Sequence, residues 1–192
     1  MIVKIINQSG DVWRRIADAA RTTIGKDAGE GEPSPLWKRR MLLCEHSPIR
    51  KLTINWKWFS LRSWVSVHFV RHKFGIEHWV RTQRTDRTGI DRNALPQGAL
   101  VEHEAEANAQ AIINISRKRL CRMASQETRE AWIKFLSELL DVEPELVAVC
   151  VPDCIYRGHC FEYNSCGYFR TDEFRIRRIM YRKGINEVQE VD

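Results

Sequence analysis

The chain has 192 residues, of which 43% are hydrophobic, so it is long enough for one domain with a substantial core. Its formal net charge of +6 favours anionic partners such as nucleotides, nucleic acids, phosphorylated cofactors or acidic lipids, without choosing among them. No apolar run approaches the ~20 residues of a membrane-spanning helix, and the first residues lack a signal-peptide pattern. We therefore expect a cytoplasmic protein without membrane association, whose six cysteines are free thiols or metal ligands.

The first part of the chain alternates strand and helix signals. Residues 1–8 are typical of a short strand, and the apolar spacing that follows predicts a helix with Asp11 as its N-cap. Ser34 and Pro35 match the N-cap and the first position of a second helix. That helix should end near Ser47, because the residue before a proline disfavours helical geometry.

The middle of the chain also gives mixed signals. Residues 51–58 alternate apolar and polar side chains and predict a half-buried strand, whereas 60–74 favour a helix and 85–98 a loop. A long helix is predicted from Ala99 to about Met123, and Ser125 is the expected N-cap of the next helix. The elements together predict helices and strands within a single domain.

Basic residues gather in two stretches, and amide side chains lie between and after them. The basic residues are Arg71, His72, Lys73, Arg81, Arg84, Arg87 and Arg92 in the first stretch and Arg117, Lys118, Arg119 and Arg122 in the second. Arginine and lysine recognise phosphate, and amides such as Asn108 and Asn114 can read the edges of a nucleobase. The pattern predicts a nucleotide site, while a solvated basic surface or a groove for single-stranded nucleic acid remains open.

The order of these residues resembles the signature of the flavin-dependent thymidylate synthases, the ThyX family. Arg71-His72-Lys73 stands where the family has Arg-His-Arg, and Thr82-Gln83-Arg84 where it has Ser-x-Arg. Arg92-Asn93-Ala94-Leu95-Pro96 matches the family's Arg-x-x-Leu-Pro. Asn108 begins a segment similar to the family's Asn-Ala-Arg-Ser, which aligns Arg119 with a family arginine. The cysteine-containing tail is similar to that of short, phage-type members.

Several positions depart from the family pattern. Lys73 replaces the last residue of Arg-His-Arg, and one inserted residue is needed to align Thr82 with the family serine. Trp79 or Val80 stands in place of a glutamate, and Gln110 replaces an arginine that meets the flavin in the family. These departures concern the nucleotide and flavin contacts, so they leave open which pyrimidine nucleotide is the substrate.

The resemblance implies an α+β fold, with helices packed on a small, mostly antiparallel sheet. It implies a catalytic domain over residues 1–149, with a cysteine-containing tail, 150–192, packed on the same domain. It further implies reductive methylation of dUMP to dTMP, with methylenetetrahydrofolate as carbon donor, FAD as cofactor and NADPH as reductant. Family members are usually homotetramers, so the resemblance implies a homotetramer here, and it argues against a nucleic-acid partner.

The resemblance also implies roles for individual residues. The expected FAD contacts are Ser47, Arg71, His72, Lys73, Asn108 and Asn114. The expected nucleotide contacts are His68, Thr82, Arg84, Arg92 and Arg119, with Arg84 and Arg92 on the phosphate. Arg119 would contact the uracil carbonyls and is the expected catalytic residue, because a cation there stabilises charge that develops on the ring.

Two alternatives stay open beside this interpretation: a paralogue that modifies another pyrimidine nucleotide, and a basic nucleic-acid-binding protein with a zinc-stabilised tail.

The tail cysteines are Cys150, Cys154, Cys160 and Cys166, with spacings of three, five and five residues. Only the first spacing is typical of zinc, so the sequence favours packed free thiols and no metal ligand. Residues 169–184 predict a strand at an edge or interface.

Overall fold

The computed structural model describes residues 1–8 and 10–186 and has an α+β fold, as the sequence predicts. Within these residues a four-stranded antiparallel sheet has the order β1-β2-β4-β3. The strands are β1 (Ile2–Gln8), β2 (Thr53–Arg62), β3 (Ile76–Val80) and β4 (Leu100–Asn108). The two long central strands, β2 and β4, carry most of the pairing, and β3 extends the sheet beyond β4.

Helices pack against this sheet and against one another. They are α1 (Val12–Thr22), α2 (Pro35–Leu43), α3 (Ser63–Val70), α4 (Thr85–Thr88), α5 (Ala109–Arg119), α6 (Gln126–Leu140), α7 (Pro144–Val149), α8 (Asp153–Arg157) and α9 (Asp172–Asn186). Short 3-10 segments cover Ser47–Lys51, Arg92–Ala94 and Tyr168–Arg170. None of the helices in the described ranges combines the length and the hydrophobicity that a bilayer crossing requires.

Large and small side chains face each other across the central strand pair. Trp56 on β2 lies opposite Ala105 on β4, and Ile54 lies opposite Ala107, so each bulky side chain meets a small neighbour. All four are nearly inaccessible to solvent. Trp56 also packs on Phe135 of α6, with ring centroids 4.2 Å apart, which joins the sheet to the helical layer.

The helix starts follow the sequence predictions in position, but only one side chain caps as expected. Ser34 Oγ accepts a hydrogen bond from the Trp37 backbone N–H at 3.3 Å, as an N-cap should. Asp11 and Ser125 occupy N-cap positions, yet neither side chain makes a cap hydrogen bond. The second helix ends at Leu43, before the predicted Ser47, since the left-handed backbone of Glu45 breaks the helical path.

The predicted long helix over 99–123 is wrong in its first half. Residues Leu100–Asn108 form β4, and the helix begins only at Ala109. Burial alternates along this strand, and its buried side chains are Val101, His103, Ala105 and Ala107. Val101, Ala105 and Ala109 recur four residues apart, which fits helical spacing as well, so the local pattern is ambiguous and pairing with β2 decides the outcome. Asn108 is therefore the N-cap of α5, and only Asn114 lies within that helix.

The predicted strand over 169–184 is also wrong, because α9 begins at Asp172. The Thr171 hydroxyl accepts a hydrogen bond from the Phe174 backbone N–H at 3.2 Å, a typical helix-starting contact. Phe174 and Tyr181 are buried seven residues apart, which is a helical and not a strand period. α9 packs on α2 and α8, and α8 packs on α5.

Two other segments differ in detail from the predictions. Residues 60–74 begin as the end of β2, and only the central part is helical, as α3. Residues 85–98 contain the single turn α4 and the 3-10 segment Arg92–Ala94 within the predicted loop. The division at residue 149 stays a prediction, and the last residues, 187–192, lie outside the described chain.

Replacing Gly75 with Ala should destabilise the protein by more than the cost of placing an alanine in a left-handed backbone conformation. Gly75 has φ +72°, and an added Cβ would lie 2.5 Å from Asn108 Nδ2. Gly89 is a matched control, because its φ is +71° and its surroundings are open. We expect Gly89→Ala to cost about 1 kcal/mol and Gly75→Ala clearly more in urea unfolding. Equal losses in the two variants would contradict the close approach of residue 75 to Asn108.

Candidate functional site

Arg119, in the last turn of α5, is held by two uncharged acceptors. Its Nε donates a hydrogen bond to His72 Nε2 at 2.9 Å, and its Nη2 donates to the backbone carbonyl of His68. Burial lowers the pKa of Arg119, with Arg71 as the second cause, but an arginine remains a cation at neutral pH. The site therefore contains a fixed positive charge in a partly desolvated place.

A chain of hydrogen bonds leads from His72 back into the sheet. His78 on β3 donates from Nε2 to the His72 carbonyl at 3.0 Å. His78 Nδ1 lies 2.9 Å from Nε2 of the fully buried His103 on β4, and His103 Nδ1 lies 3.0 Å from Ser66 Oγ on α3. The chain ties Ser66 and two strands to the loop that holds Arg119.

Burial keeps these histidines neutral. It lowers the pKa of His103 to about 3 and, together with the nearby Arg119, lowers the pKa of His72 to about 4. Burial also lowers the pKa of His78. A neutral His72 accepts from Arg119 only if its proton is on Nδ1. The remaining bonds then run in one direction, with Ser66 donating to His103, His103 to His78, and His78 to the His72 carbonyl.

His68 reaches a second polar group on the other side of Arg119. Its Nδ1 lies 2.7 Å from the hydroxyl of the fully buried Thr128 on α6, and Thr128 in turn lies 2.7 Å from the Ser125 hydroxyl. Burial lowers the pKa of His68, followed by the charges of Arg119 and Arg71. The Ser125 hydroxyl is used here, which explains why it does not cap α6.

The loop after α3 presents two cations to solvent. Arg71 and Lys73 are exposed, and neither side chain has a partner in the part of the chain that the structure describes. The Gly75 carbonyl accepts from the Asn108 backbone N–H at 2.9 Å, which ties this loop to the start of α5. Asn108 Oδ1 accepts from Ala111 N at 3.0 Å, so the Asn108 amide Nδ2 remains available to a ligand.

A second group of expected residues lines a cavity of about 340 Å³ between α3 and the segment after β3. Thr82, Arg84 and Arg92 line it together with Arg81, and Ser66 forms part of its wall. Arg84 is held in place by two hydrogen bonds to Asp86, at 2.8 and 3.0 Å. The Thr82 hydroxyl accepts from the Arg84 backbone N–H at 3.2 Å. The side chains expected to hold phosphate therefore lie together.

Asn114 and Ser47 lie apart from both groups. Asn114 Oδ1 accepts from Arg117 at 3.0 Å and from Gln110 at 3.4 Å, and both of these donors also bind Glu45. Ser47 lines a different cavity, of about 730 Å³, beside α1 and α2. The residues expected at one site thus do not all meet on a single chain.

Sequence reasoning does not assign Ser66, His78, His103 or Thr128 to the site. Their roles depend on the register between β3 and β4 and on how α3 packs against α6, which no local motif contains. One local signal exists: His103 falls on the buried face of an alternating segment, where an uncharged histidine needs hydrogen-bond partners.

The protein should lose stability as the pH falls from about 7 to about 5. His72 and His103 stay neutral in the folded chain, whereas an unfolded histidine with a pKa of 6.5 takes up a proton. The unfolded chain then binds more protons, so acidification favours it. Urea midpoints measured across this range should fall in the wild type and fall less in His103→Gln. The exposed His46→Gln serves as control, and a wild-type midpoint independent of pH would contradict the buried chain.

No protein-family model matches the sequence, and no curated protein matches it either. Solved structures do share its fold. The flavin-dependent thymidylate synthase ThyX from Helicobacter pylori, complexed with FAD and dUMP, has a TM-score of 0.64 at 12% identity, over 79% of this chain and 100% of that one. A second structure of that enzyme with FAD and dUMP has a TM-score of 0.62 at 13% identity, over 79% and 99%.

A third similar structure is PolB from Streptomyces cacaoi, a UMP/dUMP methylase bound with 5-Br dUMP. Its TM-score is 0.60 at 15% identity, over 77% of this chain and 93% of that one. These likenesses extend over nearly the whole length of each solved chain, so they concern the complete architecture and not a shared fragment. The chain therefore has the fold of the ThyX flavin-dependent thymidylate synthases, as its motifs suggest.

Proposed function

We propose that the protein is a flavin-dependent enzyme that methylates dUMP to dTMP. The observation that carries the proposal is the partly buried cation Arg119, held between His68 and His72 beside the unpaired cations Arg71 and Lys73. Similar solved structures support it, because the two ThyX structures hold FAD and dUMP. Methylenetetrahydrofolate as carbon donor and NADPH as reductant complete the proposed reaction.

The residues around the loop after α3 fit a flavin dinucleotide. Arg71 and Lys73 are exposed and unpaired within the described chain, as cations that meet a pyrophosphate should be. Asn108 offers a free amide N–H group, and His72 offers the N–H on Nδ1. Asn114 and Ser47 are the remaining proposed contacts. When bound, FAD carries the one-carbon unit and the reducing hydride.

The nucleotide phosphate is assigned to the cavity beside α3. Arg84 and Arg92 line it, and guanidinium groups make charge-assisted hydrogen bonds to phosphate. The Thr82 hydroxyl is a further donor at the same place. A phosphate must replace Asp86 as the partner of Arg84, so binding exchanges one charge-assisted pair for another.

Arg119 is assigned to the base of the nucleotide, with His68 nearby. A cation against the uracil carbonyls withdraws electron density from the ring and stabilises the negative charge that builds up as it is reduced. Such a group acts best when it is already oriented, and the bonds to His72 and His68 fix the guanidinium before substrate arrives. The neutral state of His72 is necessary, because an imidazolium would repel Arg119.

The distribution of the proposed contacts supports a site shared between copies of the chain, as in the homotetramers of the family. On one chain, Ser47 and Asn114 lie apart from the Arg119 group and from the phosphate cavity. FAD together with dUMP is large enough to need groups from more than one of these regions. We therefore expect neighbouring copies of the chain to complete each site, most simply as a homotetramer like those of the family.

UMP is a second candidate substrate, because PolB is a UMP/dUMP methylase of similar fold. Gln110, which stands where the family has a flavin-binding arginine, is bonded to Glu45 and Asn114, so this departure concerns the flavin and not the choice of nucleotide. The choice between a ribose and a deoxyribose monophosphate is decided by competition between the two nucleotides for the purified protein.

FAD binding should depend on Arg71 and Lys73. Each charge-assisted contact is worth about 1.5–3 kcal/mol, so Arg71→Ala and Lys73→Ala should each weaken FAD binding by ~10- to 100-fold. Arg50→Ala is the control, because Arg50 is also exposed and unpaired within the described residues. Quenching of flavin fluorescence measures the affinity. A folded wild-type protein that does not bind FAD saturably would rule out the flavin proposal.

Nucleotide binding should depend on Arg84 and Arg92, and turnover on Arg119. Replacing Arg84 or Arg92 with Ala should weaken dUMP binding by ~10- to 100-fold, as measured by calorimetry. Arg87→Ala, which changes the same segment outside the cavity, should leave the affinity near that of the wild type. Arg119→Ala should also slow tritium release from 5-labelled dUMP. Tighter binding of UMP or dCMP than of dUMP would assign the protein to a different substrate.

A further inference from the structure

Four cysteines from separate segments line one small cavity at the end of α5. Cys121 lies just after α5, Cys154 lies in α8, and Cys160 and Cys166 lie in the connection from α8 to the 3-10 turn Tyr168–Arg170. Cys121 does not belong to the tail motif, so sequence spacing alone cannot associate it with the other three. The tertiary structure supplies the fourth sulfur of the set.

Cys150 and Cys154, whose spacing in the sequence is typical of zinc ligands, do not lie together in the fold. Cys150 is buried and absent from the cavity wall. Burial raises the pKa of Cys150 to about 12, which keeps it a neutral thiol. Cys44 is exposed and lies elsewhere. Four of the six cysteines are therefore grouped, and the other two have different surroundings.

The size of the cavity restricts what it can hold. Its volume is about 40 Å³, close to the ~30 Å³ that one water molecule occupies in the liquid. A nucleotide, a flavin or a folate is far too large for it. Apolar side chains, including Leu120, Phe161 and Phe169, form much of the remaining wall. A single ion is the ligand that suits a small space lined by four sulfurs, and zinc is the metal that thiolate sets of this kind prefer.

A backbone group already points at one of the sulfurs. Met123 N donates to Cys121 Sγ at 3.5 Å. Hydrogen bonds of this kind stabilise a metal-bound thiolate and orient it. Four thiolates around a divalent zinc ion would leave two negative charges, and the cavity is lined by the cations Arg122 and Arg177 as well as by the carboxylates Asp153 and Glu162.

As the side chains stand, no three metal-binding residues in the described ranges are placed to hold a metal ion. Coordination thus requires rotation of the cysteine side chains and a closer approach of the connection that carries Cys160 and Cys166. Glycines flank this connection in left-handed turns, with φ +79° at Gly158 and +78° at Gly167. These turns let a short segment fold back so that its cysteines face α5.

We propose that Cys121, Cys154, Cys160 and Cys166 close around one zinc ion in a tetrahedral site. The site would be structural, because all four positions of the metal are filled by protein. It would fasten the tail to the end of α5, two residues beyond Arg119, and so stabilise the position of that side chain. This inference does not depend on the proposed reaction.

Elemental analysis of the full-length protein, purified without chelator and then equilibrated with zinc and desalted, tests the proposal. We expect one zinc per chain in the wild type and in the control Cys44→Ser. Cys121→Ser should lose most of the metal, which distinguishes this site from a tail motif acting alone. Retention of stoichiometric zinc in Cys121→Ser would contradict the four-cysteine set, as would a metal-free wild type.

A second measurement avoids variants that fail to fold. X-ray absorption at the zinc edge of the wild-type protein should give four sulfur neighbours at about 2.3 Å. A shell of nitrogen or oxygen neighbours, or a mass spectrum showing these cysteines joined as disulfides, would overturn the proposal. Removal of zinc by a chelator should also lower the thermal midpoint of the wild type, with an unchanged midpoint counting against a structural role.

Discussion

The hydrogen bond from Arg119 to His72 is the contact on which the arrangement of the site depends. A guanidinium that is partly removed from water needs acceptors, and here both acceptors, His72 Nε2 and the His68 carbonyl, are uncharged. The cation is therefore stabilised without being neutralised, and its charge remains available to a ligand. A carboxylate in the same place would hold the side chain more strongly but would cancel the field that it exerts.

The support for this contact comes from the sheet. His72 lies in a loop, and loops alone position side chains poorly. The bond from His78 to the His72 carbonyl attaches that loop to β3, and His103 attaches it further to β4 and, through Ser66, to α3. The antiparallel register places His78 and His103 on neighbouring strands at the right offset. Pairing of the strands thus determines where the charge of Arg119 lies.

The sequence predicts the features that local residue patterns determine and misses those that depend on the pairing of strands and on contacts between distant segments. The first strand, the Ser34 cap and the alternation of β2 follow from local chemistry. The helix predicted over 99–123 is wrong in its first half because Val101, Ala105 and Ala109 also fit a helical period, and contact with β2 decides between the two periods. The same limit applies to the site: Arg119 and His72 belong to a recognisable motif, whereas His78 and Cys121 gain their surroundings only from distant segments.

The single direction of the histidine chain has a consequence for how these positions can vary. Each ring must donate from one nitrogen and accept at the other, about 2 Å away across the imidazole. An amide side chain can copy one of these functions at the correct place but not both, so any single replacement leaves a buried partner unsatisfied. Ser66, His78 and His103 are therefore energetically coupled: a change at one costs less stability when the others change with it. In a related protein that lacks this series of hydrogen bonds, we would expect apolar residues at all three positions together.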